Sequence, residues 1–113
     1  MALIQLMKLS NIWLQKIYLL EFSMLKILED IVTLARERKS NPVQGSYTNK
    51  LLEDKSFAKE KVLEEINELI EAVEENTNKI HEAADVFYHL LMYLEANEIK
   101  IEDVMSELEK RKK

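Results

Sequence analysis

Lys79-Ile80-His81-Glu82-Ala83-Ala84-Asp85-Val86-Phe87-Tyr88-His89-Leu90-Leu91-Met92-Tyr93-Leu94-Glu95-Ala96 contains neither glycine nor proline. Wound as a helix at about 100° per residue from Ile80, it is apolar around nearly its whole circumference. Ala83, Ala84, Val86, Phe87, Leu90, Leu91 and Leu94 make most of that cover, and Tyr88, Met92 and Tyr93 extend it. Such a helix is expected to be buried. The exception is a narrow stripe holding Glu82, Asp85 and His89. A carboxylate buried without a partner is costly, and a cation would offset the cost.

Upstream, Asn76-Thr77-Asn78 is a polar break, with Asn78 or Thr77 available to cap the helix that follows. Before it a helix is predicted from roughly Phe57 to Glu75, with Val62, Ile66, Leu69, Ile70 and Val73 along its inward face. Glu64, Glu71 and Glu75 fall on the far side, whereas Glu65 and Glu68 flank the apolar face. Ser46 can cap a short helix through Tyr47 to Leu52, leaving 53–56 as a connection. Met24, Ile27, Leu28, Ile31, Val32 and Ala35 keep helical spacing, so a helix is expected from Met24 to about Lys39, broken by Ser40-Asn41-Pro42. After Asn97-Glu98 a last helix is predicted over Ile101 to Lys112, with Val104, Met105 and Leu108 inward.

These elements give an all-α bundle of four to five helices. The chain's single glycine and single proline nearly exclude an all-β fold, which needs many turn residues. With 113 residues one domain is expected, its core completed by dimerisation. Net charge is -5, and the one dense basic run, Lys110 to Lys113, complements a helix C-terminus. A nucleic-acid partner is therefore not expected. The absence of cysteine excludes disulfides and thiolate zinc sites. With only two histidines, any metal ligands should be carboxylates, which select Mg²⁺ or Mn²⁺. Residues 1–23 are rich in Leu, Ile and Met, but Lys8, Lys16 and Glu21 interrupt them, so no membrane span is expected. They are taken as an N-terminal extension, either an extra helix or a start-site artefact, before a working domain of residues 24–113.

A short connection makes the two long helices antiparallel neighbours. Glu65 and Glu68 can then face Glu82 and Asp85. Four converging carboxylates repel one another unless they hold one or two divalent ions, which can clamp a polyphosphate and polarise water. From spacing alone the alternative stands that both pairs are solvated surface charges.

Glu65-Ile66-Asn67-Glu68, thirteen spacer residues, then Glu82-Ala83-Ala84-Asp85 resembles the E-x-x-E…E-x-x-D signature of the all-α nucleoside triphosphate pyrophosphohydrolases, the MazG-like superfamily. Gly45-Ser46-Tyr47-Thr48-Asn49-Lys50-Leu51 and Glu82-Ala83-Ala84-Asp85-Val86-Phe87-Tyr88-His89-Leu90-Leu91 are similar to segments of the phosphoribosyl-ATP pyrophosphatases. That family usually has Gly where this chain has Leu63, so a very close helix contact is not expected there. The resemblance spans about Met24 to Glu109. It implies Mg²⁺-dependent hydrolysis of phosphoribosyl-ATP to phosphoribosyl-AMP and pyrophosphate in the cytoplasm, the second step of histidine biosynthesis. Glu65, Glu68, Glu82 and Asp85 would be the catalytic metal ligands. Lys50 and Lys61 are candidates for phosphate contact, and Ser46, Tyr47 and Thr48 for substrate contact or plain capping. His89 is expected to orient or pack. The related cyclohydrolase domain uses cysteines, so a stand-alone form is expected. The alternatives are a house-cleaning nucleoside triphosphate pyrophosphatase and a non-catalytic helical dimerisation module.

Overall fold

A computed structural model describes residues 25–112. The chain divides into two units, residues 1–30 and 31–113. Of the first, residues 25–30 are described and are helical. The expected N-terminal extension and the working start at Met24 lie outside the described residues.

Among the described residues every regular element is an α-helix: α1 over residues 25–40, α2 Tyr47–Glu53, α3 Lys55–Glu75, α4 Lys79–Ala96 and α5 Ile101–Arg111. The segment between α1 and α2 turns on Gly45, whose φ of +80° disfavours a side chain. Ser46 then caps α2, its Oγ accepting from the Asn49 backbone N–H at 3.2 Å. Buried Asn49 secures the turn: its Oδ1 accepts from the Val43 N–H at 2.9 Å, and its Nδ2 donates to the Arg38 carbonyl at 2.9 Å.

α3 begins two residues before the predicted Phe57. Asp54 is at once the C-cap of α2 and the N-cap of α3, its Oδ1 accepting from the Phe57 N–H at 3.0 Å. One carboxylate therefore replaces the expected four-residue connection. Asn76 ends α3 in the left-handed region, and the Thr77 N–H bonds back to the Ala72 carbonyl. Asn78 is also left-handed and makes no side-chain cap bond. Asn78 thus takes the expected N-cap position of α4 without the side-chain bond, and both asparagines serve the tight turn through their tolerance of positive φ.

α3 and α4 form the main antiparallel pair, and α2 packs against both. The core is Ala35, Leu51, Leu52, Ala58 and Met92, bordered by Ile31, Phe57, Tyr88 and Tyr93. One sequence expectation needs correction here. The face that α3 buries carries Ala58, Glu65 and Ala72, while Ile66, Ile70 and Val73 remain exposed. Phe57 borders the core and Val62 and Leu69 are half-buried, so the packed face is turned only part of the way from the one expected. α4 is likewise not covered all round, since Ile80, Phe87 and Leu90 are exposed.

α5 buries no residue, and Met105 and Leu108 point outward rather than inward as expected. Ile101 and Val104 are half-buried, and charge adds a tether. Arg36 on α1 bonds Glu102 through both guanidinium NH groups and also reaches buried Glu95 on α4 at 3.2 Å. Lys39 adds contacts to Glu95 and Glu98. The Arg36 hydrogen bonds hold the Glu102 carboxyl down at about 2. A depressed carboxylate contributes stability above its ordinary value of 4.5 and loses it as pH falls toward 2. Glu102→Gln is therefore expected to speed hydrogen exchange of the α5 amides at neutral pH and leave the α3–α4 pair protected; equal protection of α5 in both proteins would refute this role.

Candidate functional site

Three of the four predicted carboxylates converge where α3 packs on α4. Oxygens of Glu65, Glu68 and Glu82 all lie within 4.8 Å of one another. Asp85 stands outside this trio but groups with Glu82 and His81 at the same separation, its Oδ2 lying 3.3 Å from His81 Nε2. The helical period aims Glu65 and Glu68 from one rod and Glu82 and Asp85 from the other toward the interhelical seam. Glu64, Glu71 and Glu75 are exposed on the outer face of α3.

The trio is electrostatically unfavourable on its own. Glu65 is buried, and Oε2 of Glu65 and Oε2 of Glu82 are both inaccessible and without a hydrogen-bond partner. Burial, then the adjoining Glu68 carboxylate and the charge of Asp85, push Glu65 up to about 7. Burial and Glu68 also raise Glu82, with His81 opposing. Unpaired oxygens in a buried acidic cluster are what a hard divalent cation satisfies, and the all-oxygen donor set fits Mg²⁺ or Mn²⁺.

Beside the cluster lies an aromatic and cationic wall. Lys50 Nζ stands 4.1 Å from the centre of the Phe57 ring, and Lys61 Nζ 5.8 Å from it. Each is within cation–π range. Lys61 also pairs with Glu64 at 3.1 Å. Tyr47 meets Phe57 edge-on, with centroids 6.0 Å apart. Tyr47 and Lys50 line an open cavity of about 560 Å³ together with Pro42, Val43, Gly45 and Glu53. The role of Phe57 was not anticipated, although its i, i+4 relation to Lys61 was readable.

The hydroxyls of the Ser46-Tyr47-Thr48 segment are all engaged within the protein. Ser46 Oγ takes the cap bond and a second from Arg38 at 2.9 Å. Tyr47 Oη bonds His89 Nε2 at 2.8 Å, and Thr48 Oγ1 bonds Tyr88 Oη. Tyr47 and Thr48 thus tie α2 to α4, and Ser46 ties the start of α2 to α1 through Arg38.

Residues 28–112 match the family model described as phosphoribosyl-ATP pyrophosphohydrolase. The chain belongs to that family. It is 42% identical over 91 residues to the phosphoribosyl-ATP pyrophosphatase of Clostridium acetobutylicum, covering 76% of this chain and 81% of that protein. It is 37% identical over 93 residues to the enzyme of the same name from Methanococcoides burtonii, covering 78% of this chain and 94% of that one. The histidine biosynthesis bifunctional protein HisIE of Pyrococcus furiosus is 39% identical over 92 residues, which span 79% of this chain but only 43% of that longer protein. No solved structure matches. Within this phosphoribosyl-ATP pyrophosphohydrolase fold, the shared segment contains the carboxylate cluster, the Phe57 wall and the Tyr47–His89 contact. No helix among the described residues is long and apolar enough to cross a membrane.

Proposed function

We propose that this protein hydrolyses phosphoribosyl-ATP to phosphoribosyl-AMP and pyrophosphate, the second step of histidine biosynthesis, at a magnesium centre held by Glu65, Glu68, Glu82 and Asp85. The observation that carries the reading is the trio of carboxylates with two buried, unpartnered oxygens in a member of this family. When bound, Mg²⁺ neutralises the triphosphate and increases the acidity of water. Glu65 or Glu68 receives the proton of the attacking water. The water oxygen bonds to one phosphorus of the α–β anhydride, the bridge between the α- and β-phosphates breaks, and pyrophosphate departs from phosphoribosyl-AMP. Lys50 and Lys61, held over Phe57, offset the negative charge of the substrate in a protein that is itself acidic. Ser46 and Tyr47 shape the neighbouring cavity through backbone and ring, because their hydroxyls are already committed, while Thr48 supports α2 from outside the cavity lining through its bond to Tyr88.

The working domain is residues 24–113, acting in the cytoplasm as a homodimer. The partner covers the exposed faces of α3 and α4 that carry Ile66, Ile70, Val73, Ile80 and Phe87.

Pyrophosphate release from phosphoribosyl-ATP, measured beside a panel of deoxynucleoside triphosphates with and without Mg²⁺, tests the reaction. A preference for a deoxynucleoside triphosphate would transfer the site to nucleotide house-cleaning. No turnover and no Mg²⁺ binding would favour the helical dimerisation module. Metal binding must also displace the proton that the cluster retains on Glu65 near pH 7. The Mg²⁺ concentration giving half-maximal activity is expected to fall by about tenfold between pH 6 and pH 8, most of it below pH 7. A requirement flat across that interval would contradict the proton competition.

A further inference from the structure

Buried His89 has polar contacts on both ring nitrogens, and their chemistry sets its tautomer. Nδ1 lies 2.7 Å from the Asp85 backbone carbonyl, one turn back along α4. A carbonyl oxygen only accepts, so Nδ1 carries the hydrogen. In the neutral ring Nε2 then presents a lone pair, and it accepts from the Tyr47 hydroxyl at 2.8 Å. The two rings also meet edge-on, with centroids 5.7 Å apart. Tyr47 is thereby clamped to the helix that carries Glu82 and Asp85. Its other neighbour is Phe57, the ring beneath Lys50 and Lys61. It is also a wall of the cavity beside α2.

We infer that His89 is a positioning residue for substrate binding: through its hydrogen bond to Tyr47 it fixes the Tyr47 ring between the cavity and the carboxylate cluster. The inference rests on the hydrolase reading above. The contact acts on a wall of the cavity and not on the carboxylate cluster, so its loss should appear in KM rather than in kcat. The clamp also fixes the direction of the phenol: with its hydrogen committed to His89, Tyr47 offers only lone pairs outward. A bound phosphate oxygen is therefore met by the lysines and not by this hydroxyl.

Kinetics and nitrogen NMR of the full chain test the inference together. Tyr47→Phe deletes one hydroxyl from a half-exposed ring and should leave the fold unchanged. His89→Asn can still donate toward the Asp85 carbonyl but is too short to reach Tyr47. Each is expected to raise KM for phosphoribosyl-ATP about fivefold to tenfold, the loss of one hydrogen bond, with kcat within about twofold. The double variant should be no worse than either single variant. His89→Gln, long enough to place an acceptor near the Nε2 position, should restore most of the lost KM. In the unmodified protein His89 should show a protonated Nδ1 and a bare Nε2. A kcat loss at constant KM, multiplying effects in the double variant, a wild-type KM in Tyr47→Phe, or a hydrogen on Nε2 of neutral His89 would overturn the inference. The tautomer is read without turnover. An inactive wild-type protein with a protonated Nδ1 would thus defeat the hydrolase reading while leaving the clamp, whereas an active one with a protonated Nε2 would do the reverse.

Discussion

Glu68→Gln is expected to lower kcat/KM for phosphoribosyl-ATP at least about a hundredfold while the circular dichroism spectrum stays that of the wild type. An amide is nearly the shape of a carboxylate, so the helix and its packing survive. What changes is one full charge and one strong oxygen donor in a cluster whose members lie within 4.8 Å. Glu65→Gln and Glu82→Gln should behave alike, because each belongs to the same trio. Asp85→Asn is expected to lose activity in the same direction. Its carboxylate shares a second group with Glu82 and His81, so the loss also disturbs the edge of the cluster. Steady-state pyrophosphate release at saturating Mg²⁺ decides the matter. Wild-type activity in both Glu68→Gln and Asp85→Asn would remove the cluster from the reaction.

The second large effect is on stability and has the opposite sign. Without divalent cations Glu65 titrates at about 7 instead of its ordinary 4.5, chiefly because it is buried and then because Glu68 adjoins it. A carboxyl raised in this way binds more protons when folded than when unfolded. Its protonated form favours the fold fully below about 4.5, and that contribution is lost as pH rises through about 7. At pH 8 the metal-free protein carries the whole repulsion, whereas Glu65→Gln removes the share that involves Glu65 and leaves only that among Glu68, Glu82 and Asp85. After solvent screening the difference is about 1–2 kcal/mol, or roughly 5–10 °C in Tm for a domain of this size. Melting curves in chelator at pH 5 and pH 8 should therefore show Glu65→Gln close to the wild type at pH 5 and well above it at pH 8. Saturating Mg²⁺ should stabilise the wild type and abolish the advantage of the variant. A variant less stable than the wild type at pH 8 in chelator would mean that the cluster is neutralised by the protein's own groups.

Helical content and the register of the acidic residues were legible because both are local. The periods of 57–75 and 79–96 place each residue relative to its own axis, and Asn76-Thr77-Asn78 is too short to permit anything but a reversal. That was enough to put Glu65 and Glu68 on the seam with Glu82. It was not enough to say which neighbouring face of α3 would pack. The branched residues Ile66, Ile70 and Val73 dominate the apolar pattern, yet Ala58 and Ala72 are the buried positions. That choice depends on how closely α2 and α4 approach, a property of the assembled helices.

Order along the chain thus determined the all-helical class, the hairpin and the four acidic candidates, since backbone geometry repeats every 3.6 residues whatever lies nearby. Tertiary structure alone decided that two carboxylate oxygens would be buried without partners, that Phe57 would lie beneath two lysines, and that Tyr47 would bond His89. The unpartnered oxygens and the Tyr47–His89 bond arise between elements distant in sequence, and Lys50 reaches Phe57 from the neighbouring helix, whereas Lys61 lies one turn along α3 itself. Desolvation, repulsion and hydrogen bonding act over a few ångströms of space, and the spacing of residues along the chain does not encode that distance.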